Sequence, residues 1–432
     1  MTKNKSRRFY AALILFGLIG QVAWVVENMY FNVFIYNMFS ASPADISLMV
    51  GASSVIATLT TILIGALSDR VGKRRLFISL GYILWGVSIL LFALVQKDII
   101  GALFPTAVSV SAICITVTVV LDCLMTFFGS TANDAAFNAW LTDAADPARR
   151  GSVEGINAMM PLVAILVVFG GFMSFDLKTS SAWTAVFVII GGVVLVSGIL
   201  SFFLVDEPER AKAESEGYLK TVLYSFRPST VKRNAVLYVT VLAFAIFGIS
   251  IQIFMPYLII YYEVALGMTD YVFVMAPAII LASVATAFYG KVYDKYGFLR
   301  SSLPALGILG VGYILLTLFR ATLPVFIGSL LMMTGYLSGM AVFGAMLRDR
   351  IPTGKAGAFQ GIRIVGQVLI PGIIGPAIGA FVLKDAKTMI GSDGTEAFIP
   401  NESIFVAALV VAAIAALSIL LVHLAERKTK TL

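Results

Sequence analysis

Two copies of one short pattern decide the fold of this chain: Gly65-Ala-Leu-Ser-Asp69-Arg70-Val-Gly72-Lys73-Arg74-Arg75 and, 225 residues later, Gly290-Lys-Val-Tyr-Asp294-Lys295-Tyr-Gly297-Phe-Leu-Arg300. Each copy lies between hydrophobic runs that are too long for the core of a soluble domain. Its glycines allow a sharp turn and a close approach of two helices. We therefore predict that each copy is a basic turn between two membrane spans, and that the chain contains a duplicated membrane unit.

The composition excludes an ordinary soluble protein, because 59% of the 432 residues are hydrophobic and only 13% are charged. Apolar runs long enough to cross about 30 Å of hydrocarbon occur repeatedly along the chain. We number these predicted spans 1 to 12 in chain order: 9–36, 46–67, 76–95, 113–140, 152–174, 182–204, 237–262, 271–290, 302–319, 324–347, 357–383 and 403–424. The predicted fold class is an all-α membrane protein with twelve transmembrane helices in two six-helix bundles, embedded in a lipid bilayer.

A charged and polar segment divides the predicted spans six and six. We therefore predict an N-terminal bundle over 1–205, a cytoplasmic linker over 206–236 and a C-terminal bundle over 237–432. The segment 384–401, between spans 11 and 12, carries Gly, Asp and Ser and is predicted to be an outer loop.

Basic residues predict the orientation in the membrane. If the N-terminus is inside, the inner segments hold 25 of the 31 Lys and Arg residues and the outer segments hold five. The positive-inside rule then places both termini in the cytoplasm of a cell (plasma or inner) membrane. Because topology accounts for the net charge of +7, that charge does not predict a nucleic-acid partner.

Other function classes find little support in the sequence. Cys114 and Cys123 both fall in span 4, and His423 is the single histidine, so neither a disulfide framework nor a metal site is predicted. We find no His-Glu-x-x-His, Gly-x-Ser-x-Gly or Walker-type motif, so no enzyme, cofactor or ATP coupling is expected.

The pattern Gly-x-x-x-Asp-[Arg/Lys]-x-Gly, followed by basic residues, resembles the loop between spans 2 and 3 of the major facilitator superfamily. Its second copy falls between spans 8 and 9, where that superfamily has a weaker echo. The resemblance implies a secondary transporter, a monomer, whose two halves rock to alternate access to a small-molecule substrate. It also implies a cytoplasmic latch formed by Asp69, Arg70 and Arg75, with Asp294 in the second copy.

Charged residues inside a span are costly and therefore functional candidates. At about 1.5 Å per residue, Glu27 lies roughly 27 Å from Phe9 and Asp122 roughly 27 Å from Trp140, so their depths match. Asp134 and Arg363 lie about 9 and 10 Å deep and form a candidate inner pair. Further candidates for this inner layer follow Asp134 in the sequence: Arg149, Arg150 and Glu154. The layer is either a static ion-pair network or a cytoplasmic gate.

Two spans carry a polar face. In span 1 it comprises Gln21, Trp24, Asn28 and Asn32, with Glu27 at its edge; in span 4, Asp122 and Asp134 fall on stripes about 120° apart. Such a face lines a water-filled cavity or forms hydrogen bonds between helices. Amides and carboxylates bind hydroxyl pairs and an aromatic ring stacks on sugar C–H groups, so we predict a sugar or glycoside substrate. In the second bundle the corresponding candidates are Gln252, Tyr257 and Gln367.

The run Asn133-Asp134-Ala-Ala-Phe-Asn138-Ala-Trp140-Leu resembles span 4 of the glycoside–pentoside–hexuronide cation symporters, typified by the melibiose carrier. That resemblance implies a role for Asp134 in cation and sugar binding. Ser53 and Ala57 stand where the group has sodium-binding carboxylates in span 2, so a proton is the predicted coupling ion, with sodium second. Its candidate carriers are Glu27, Asp122 and Asp134. The alternative prediction is a proton-coupled exporter of amphipathic compounds.

Overall fold

The computed structural model describes residues 3–145, 150–207, 223–351, 356–391 and 394–430, and most of them are helical. Within these ranges, ten helices are long and apolar enough to cross a membrane. One of them, Val272–Leu318, joins predicted spans 8 and 9 across a kink, and a shorter apolar helix, Ile156–Phe172, occupies span 5. Each predicted span therefore contains an apolar helix, and the predicted all-α membrane fold class is confirmed.

The helices of the first six spans have these bounds: Lys3–Val25, the π-helix Val26–Tyr30 and Phe31–Phe39 in span 1; Pro43–Val71 in span 2; Arg74–Leu91 and the 3-10 turn Phe92–Leu94 in span 3; Val110–Gly129, the π-helix Ser130–Phe137 and Asn138–Ala144 in span 4; Arg150–Phe172 in span 5; Ser180–Leu204 in span 6. A short helix, Lys97–Leu103, precedes span 4. Span 2 begins with a capping box formed by Ser42 and Asp45, with Pro43 at its first position.

The remaining helices have these bounds: Pro228–Arg233 before span 7; Ala235–Phe254, the 3-10 turn Met255–Tyr257, Leu258–Ile260 and the π-helix Tyr261–Ala265 in span 7; Val272–Leu318 in spans 8 and 9; Thr322–Arg350 in span 10; Ala356–Ile364, the π-helix Val365–Leu369 and Ile370–Leu383 in span 11; Ser403–Lys430 in span 12.

The segment between spans 11 and 12 differs from the predicted outer loop, because it contains a two-stranded sheet. Strands β1 (Thr388–Ile390) and β2 (Glu396–Phe398) pair with each other. Gly391 donates its N–H to the Thr395 carbonyl at 2.7 Å, and Gly394 has a φ of 77°. A turn glycine with positive φ is typical of a hairpin connection, so the glycines that predicted a loop instead reverse the chain.

Both copies of the motif interrupt the helix at a glycine with positive φ. Gly72 ends the helix of span 2 with a φ of 71° and a ψ of 11°, and Gly297, 225 residues later, has a φ of 74° and a ψ of −176°. Residues with a Cβ rarely adopt a positive φ, so glycine at this position is required by the backbone. The repeat detected in the sequence thus places a helix break at the same position in both halves, although the two backbone conformations differ in ψ.

The chain forms two compact units: Met1–Glu216 with Met389–Ala397, and Gly217–Thr388 with Phe398–Leu432. Small residues bring helices together inside each unit. A Cβ added to Gly86 of span 3 would lie 2.5 Å from the backbone N of Leu195 in span 6. In the second unit, a Cβ on Gly312 of span 9 would lie 2.4 Å from the backbone N of Met332 in span 10. Such close approach is how helices pack where lipid removes the hydrophobic driving force between them.

Candidate functional site

Four π-helical segments interrupt the described helices, in spans 1, 4, 7 and 11. Three of them contain residues predicted as site residues: Glu27 and Asn28 in span 1, Asp134 in span 4, and Gln367 in span 11. π-Helical turns are rare and occur frequently at functional sites, because they turn side chains away from the regular helical phase. Apolar periodicity cannot reveal them, because it describes only the regular α-helical phase.

Glu27 and Asp122 lie together in the first unit. Glu27 is 6% exposed, and its Oε1 accepts a hydrogen bond from Thr126 Oγ1 of span 4 at 2.7 Å. Asp122 is one helical turn before Thr126 and is 1% exposed. The charge of Glu27 interacts with those of both Asp122 and Asp134. Spans 1 and 4 thus bring the three predicted coupling carboxyls into one electrostatic cluster.

Several buried polar atoms around this pair lack a hydrogen-bond partner among the described residues: Glu27 Oε2, Asp122 Oδ1, Asn32 Oδ1, Trp24 Nε1 and Trp85 Nε1. Leaving a buried polar atom unpaired costs about 1–3 kcal/mol, and more if it is charged. No salt bridge in the described part of the chain involves either carboxyl. Chemically, the group offers three oxygen acceptors and two indole donors to a proton or a polar solute.

The amides and the indole of span 1 are arranged around these atoms. Asn28 is exposed and donates to the Trp24 carbonyl at 2.8 Å; Asn32 is fully buried and donates to the Asn28 carbonyl at 3.0 Å. The Trp24 ring lies 5.0 Å from the Trp85 ring, and Gln21 is half-buried. The predicted face of span 1 therefore contains both accessible and sealed members.

Asp134 occupies the π-helical part of span 4. Its Oδ2 accepts from Ser130 Oγ at 3.0 Å. The neighbouring Asn133 donates to Tyr82 OH at 2.8 Å and to the Phe16 carbonyl at 3.4 Å, which ties span 4 to spans 3 and 1. The 120° separation from Asp122 predicted for a regular α-helix does not hold here, because residues 130–137 are π-helical.

In the second unit the predicted residues have clear local partners. Gln252 is half-buried, and a Cβ on Gly375 of span 11 would lie 2.4 Å from its Cβ. Tyr257 is fully buried and donates to the Pro376 carbonyl at 3.3 Å, which indicates a packing role. Arg363 donates its Nε–H to Gln367 Oε1 at 2.8 Å, so these two residues orient each other within span 11.

The ion pair beside the 2–3 turn uses an arginine that the sequence reading left out. Arg74 is 2% exposed, its Nε is 3.3 Å from Asp143 Oδ2, and its guanidinium also donates to Ser68. Arg70 and Arg75, which were predicted for the latch, have exposed side chains. The first basic residues after a turn differ in helical phase, and only the structure shows which of them faces the bundle.

The start of the predicted linker is also bound to the first unit. The Glu207 carboxylate accepts the backbone N–H groups of Arg74 at 3.1 Å and Arg75 at 2.8 Å, so it caps the first turn of span 3. Asp206 pairs with Arg8 at 3.2 Å, and its carbonyl accepts from Trp140 Nε1 at 2.8 Å. An acidic pair directly after a span was the available signal for such a cap.

Other predicted latch and gate residues are only partly described. Asp294 is exposed. The side chains of Asp69, Arg150 and Glu154, and the whole of Arg149, lie outside the described residues.

Comparisons with known proteins agree with this architecture. The Major Facilitator Superfamily matches the chain over residues 11–376, whereas no curated protein matches it. A bacterial homologue of the human lysosomal transporter Spinster is similar in structure at 17% identity, with a TM-score of 0.71 and coverage of 98% of this chain and 97% of that one. The nucleoside transporter NupG (11% identity, 96% and 99% coverage, TM-score 0.68) and the xylose transporter XylE from E. coli (14%, 96% and 97%, 0.68) are similar as well. Because the family match covers most of its length, the chain belongs to the major facilitator superfamily and is a multi-pass membrane transporter, not an enzyme.

Proposed function

We propose that this transporter moves a sugar or glycoside across the membrane together with a proton, by alternating access. The observation that carries the proposal is the buried pair Glu27 and Asp122, each of which has one carboxyl oxygen without a hydrogen-bond partner among the described residues. An uncompensated polar cluster within a span is retained where it binds a solute or an ion, since it otherwise only destabilises the fold.

The proton is the ion that best suits this pair. Two neighbouring carboxylates without a paired cation are costly to bury in the ionised form, and one bound proton removes much of that cost. Span 2 offers Ser53 and Ala57 in place of acidic ligands, which disfavours a sodium site like that of the glycoside–pentoside–hexuronide symporters. A carboxyl that binds a proton together with the solute and releases both on the other side couples the two fluxes.

The unpaired atoms also favour a polyhydroxylated solute. Three of these atoms are acceptors available to a solute: Glu27 Oε2, Asp122 Oδ1 and Asn32 Oδ1. The Trp24 indole N–H is an available donor. A sugar offers several O–H donors and a C–H face suited to an aromatic ring. XylE and NupG are named for xylose and nucleosides, and this chain's own site supports the same broad chemistry. We further propose a monomer in the cell membrane with both termini in the cytoplasm, on the distribution of basic residues.

A two-step experiment tests the proposal. A thermal-shift screen of the purified protein against sugars (xylose, galactose and melibiose), nucleosides and amino acids, with and without sodium and across pH, identifies the ligand. The best sugar is then added to proteoliposomes that contain a pH-sensitive dye. We expect sugar-dependent proton entry that Glu27→Gln and Asp122→Asn each reduce at least about tenfold. The matched control is Asp270→Asn, an exposed carboxyl outside the site.

Two outcomes would contradict the proposal. Proton entry that no sugar stimulates removes the coupling, and transport that both site variants leave unchanged removes the assigned residues. Binding that follows ligand hydrophobicity and accepts unrelated shapes would favour the export of amphipathic compounds instead.

A further inference from the structure

Span 4 carries a row of oxygen-bearing side chains at intervals of four residues: Asp122, Thr126, Ser130 and Asp134. Asp122 and Thr126 lie one turn apart on the α-helix Val110–Gly129, where residues four apart have Cβ atoms about 5–6 Å apart. Ser130 and Asp134 lie on the π-helix that follows, where the Ser130 hydroxyl bonds Asp134 directly. The row begins at the buried carboxyl pair and ends at Asp134, nine residues before Asp143, whose carboxylate pairs with Arg74 beside the 2–3 turn.

The hydroxyls of this row are already aimed at carboxyls. Thr126 donates to Glu27 at 2.7 Å and Ser130 donates to Asp134 at 3.0 Å. Thr131, which is next to Ser130 but outside the row, donates to the Phe127 carbonyl of its own helix at 2.7 Å. Buried threonines in helices commonly bond their own backbone in this way, so the orientation of Thr126 and Ser130 towards acids is specific to the row.

No salt bridge within the described residues involves Asp122 or Asp134. The described titratable groups within electrostatic range of the carboxyls of the row are Glu27, Tyr82 and Cys123. Gly129 lies between Thr126 and Ser130 in the sequence, and a Cβ there would lie 2.7 Å from Trp85 and 2.9 Å from Trp24. The indole pair therefore packs against span 4 at Gly129, next to Ser130.

We infer that Asp134, Ser130 and Thr126 form a relay that conducts protons between the 2–3 turn end of span 4 and the Glu27–Asp122 pair. This inference rests on the proposed proton coupling. A proton on Asp134 passes to the Ser130 oxygen while the hydroxyl proton of Ser130 moves to Thr126, and the proton of Thr126 moves to Glu27 Oε1. Each hydroxyl gains one proton and loses one, so it ends unchanged. Rotation of the two hydroxyls, or one bridging water, spans the single turn between them.

The test follows hydrogen–deuterium exchange at the buried carboxyls by infrared spectroscopy, with the whole protein in lipid nanodiscs transferred to D2O. Bands lost in Glu27→Gln and Asp122→Asn identify the protonated carboxyls. We expect Thr126→Val and Ser130→Ala each to slow exchange of those bands at least about tenfold. Thr131→Val is the matched control and should exchange like the wild type, as should Thr126→Ser, which keeps the hydroxyl. If Thr126→Val does not fold, Ser130→Ala carries the test.

The outcomes separate the relay from the transport proposal. If Ser130→Ala, Thr126→Val and Thr131→Val all exchange at the wild-type rate, the relay is overturned while proton coupling stands. If all three slow exchange equally, the relay is overturned as well, because the control outside the row then behaves like the row. If neither carboxyl variant removes a protonated band, proton coupling and the relay both fail. Slow exchange in the two relay variants without transport of any sugar supports the relay and rejects the substrate class.

Discussion

Arg74 and Asp143 form an ion pair whose partners differ in burial, so removing them separately should have unequal costs. The Arg74 side chain is 2% exposed and that of Asp143 is 23% exposed. Asp143→Ala removes a carboxylate partner of a buried guanidinium charge, which should lower the free energy of unfolding by about 3 kcal/mol. Arg74→Met removes the buried charge but keeps an apolar stem, and water can reach Asp143, so we expect about 1 kcal/mol.

Circular dichroism during unfolding by SDS in mixed micelles measures these free energies. The double variant Arg74→Met/Asp143→Ala should cost less than the two single changes together, with a coupling energy of about 1–2 kcal/mol, because it removes both charges at once. Arg75→Met is the control: its side chain is exposed, and the change should stay within about 0.5 kcal/mol of the wild type. If Arg74→Met costs as much as Asp143→Ala, the argument from burial is wrong.

Three further predictions concern the turns, the helix contacts and the cap. Gly297→Ala should lower the free energy of unfolding by about 1–3 kcal/mol, and Gly72→Ala by about 1–2 kcal/mol. The reason is that Gly297 has a ψ of −176°, in a region almost restricted to glycine, whereas Gly72 has a ψ of 11°, in the left-handed helical region. Unfolding midpoints of the two variants measure the difference. Gly86→Ala should cost about 1–3 kcal/mol through overpacking against Leu195, whereas Gly192→Ala, with open space around it, should be nearly neutral in the same assay. Glu207→Gln should lower the free energy of unfolding by about 0.3–1 kcal/mol, because it removes a negative charge from a helix N-terminus. Salt screens this charge, so the difference between variant and wild type should shrink in unfolding curves at rising salt concentration. A difference that does not change with salt would contradict the prediction.

The fold could be predicted from sequence because its signals are local. Apolar length and the doubled turn motif need no knowledge of packing, and Gly72 and Gly297 confirm the turn in both copies. The depth estimates also depend only on helical rise. They placed Glu27 and Asp122 at one level, and Thr126 does bond Glu27 one turn from Asp122.

The parts that sequence reasoning missed depend on phase and on distant contacts. The π-helical segments shift side chains that a regular helix would place elsewhere, so the row from Asp122 to Asp134 was divided into two stripes. The burial of Arg74, with Arg70 on the other side of the turn and the adjacent Arg75 both exposed, depends on how spans 2 and 3 pack, which the sequence does not encode locally. Glu207 caps a helix 133 residues earlier in the chain; the acidic pair after span 6 is a signal for a cap, but it does not identify which helix is capped.

The adjacent indoles of Trp24 and Trp85, 5.0 Å apart, have a practical consequence. All four tryptophans of the chain, at positions 24, 85, 140 and 183, belong to the first unit. Intrinsic tryptophan fluorescence of the unlabelled protein therefore reports on that unit alone, and the second unit is silent at the same wavelength. Two of the four emitters border the carboxyl cluster, so a solute that enters there should change the emission without any engineered probe.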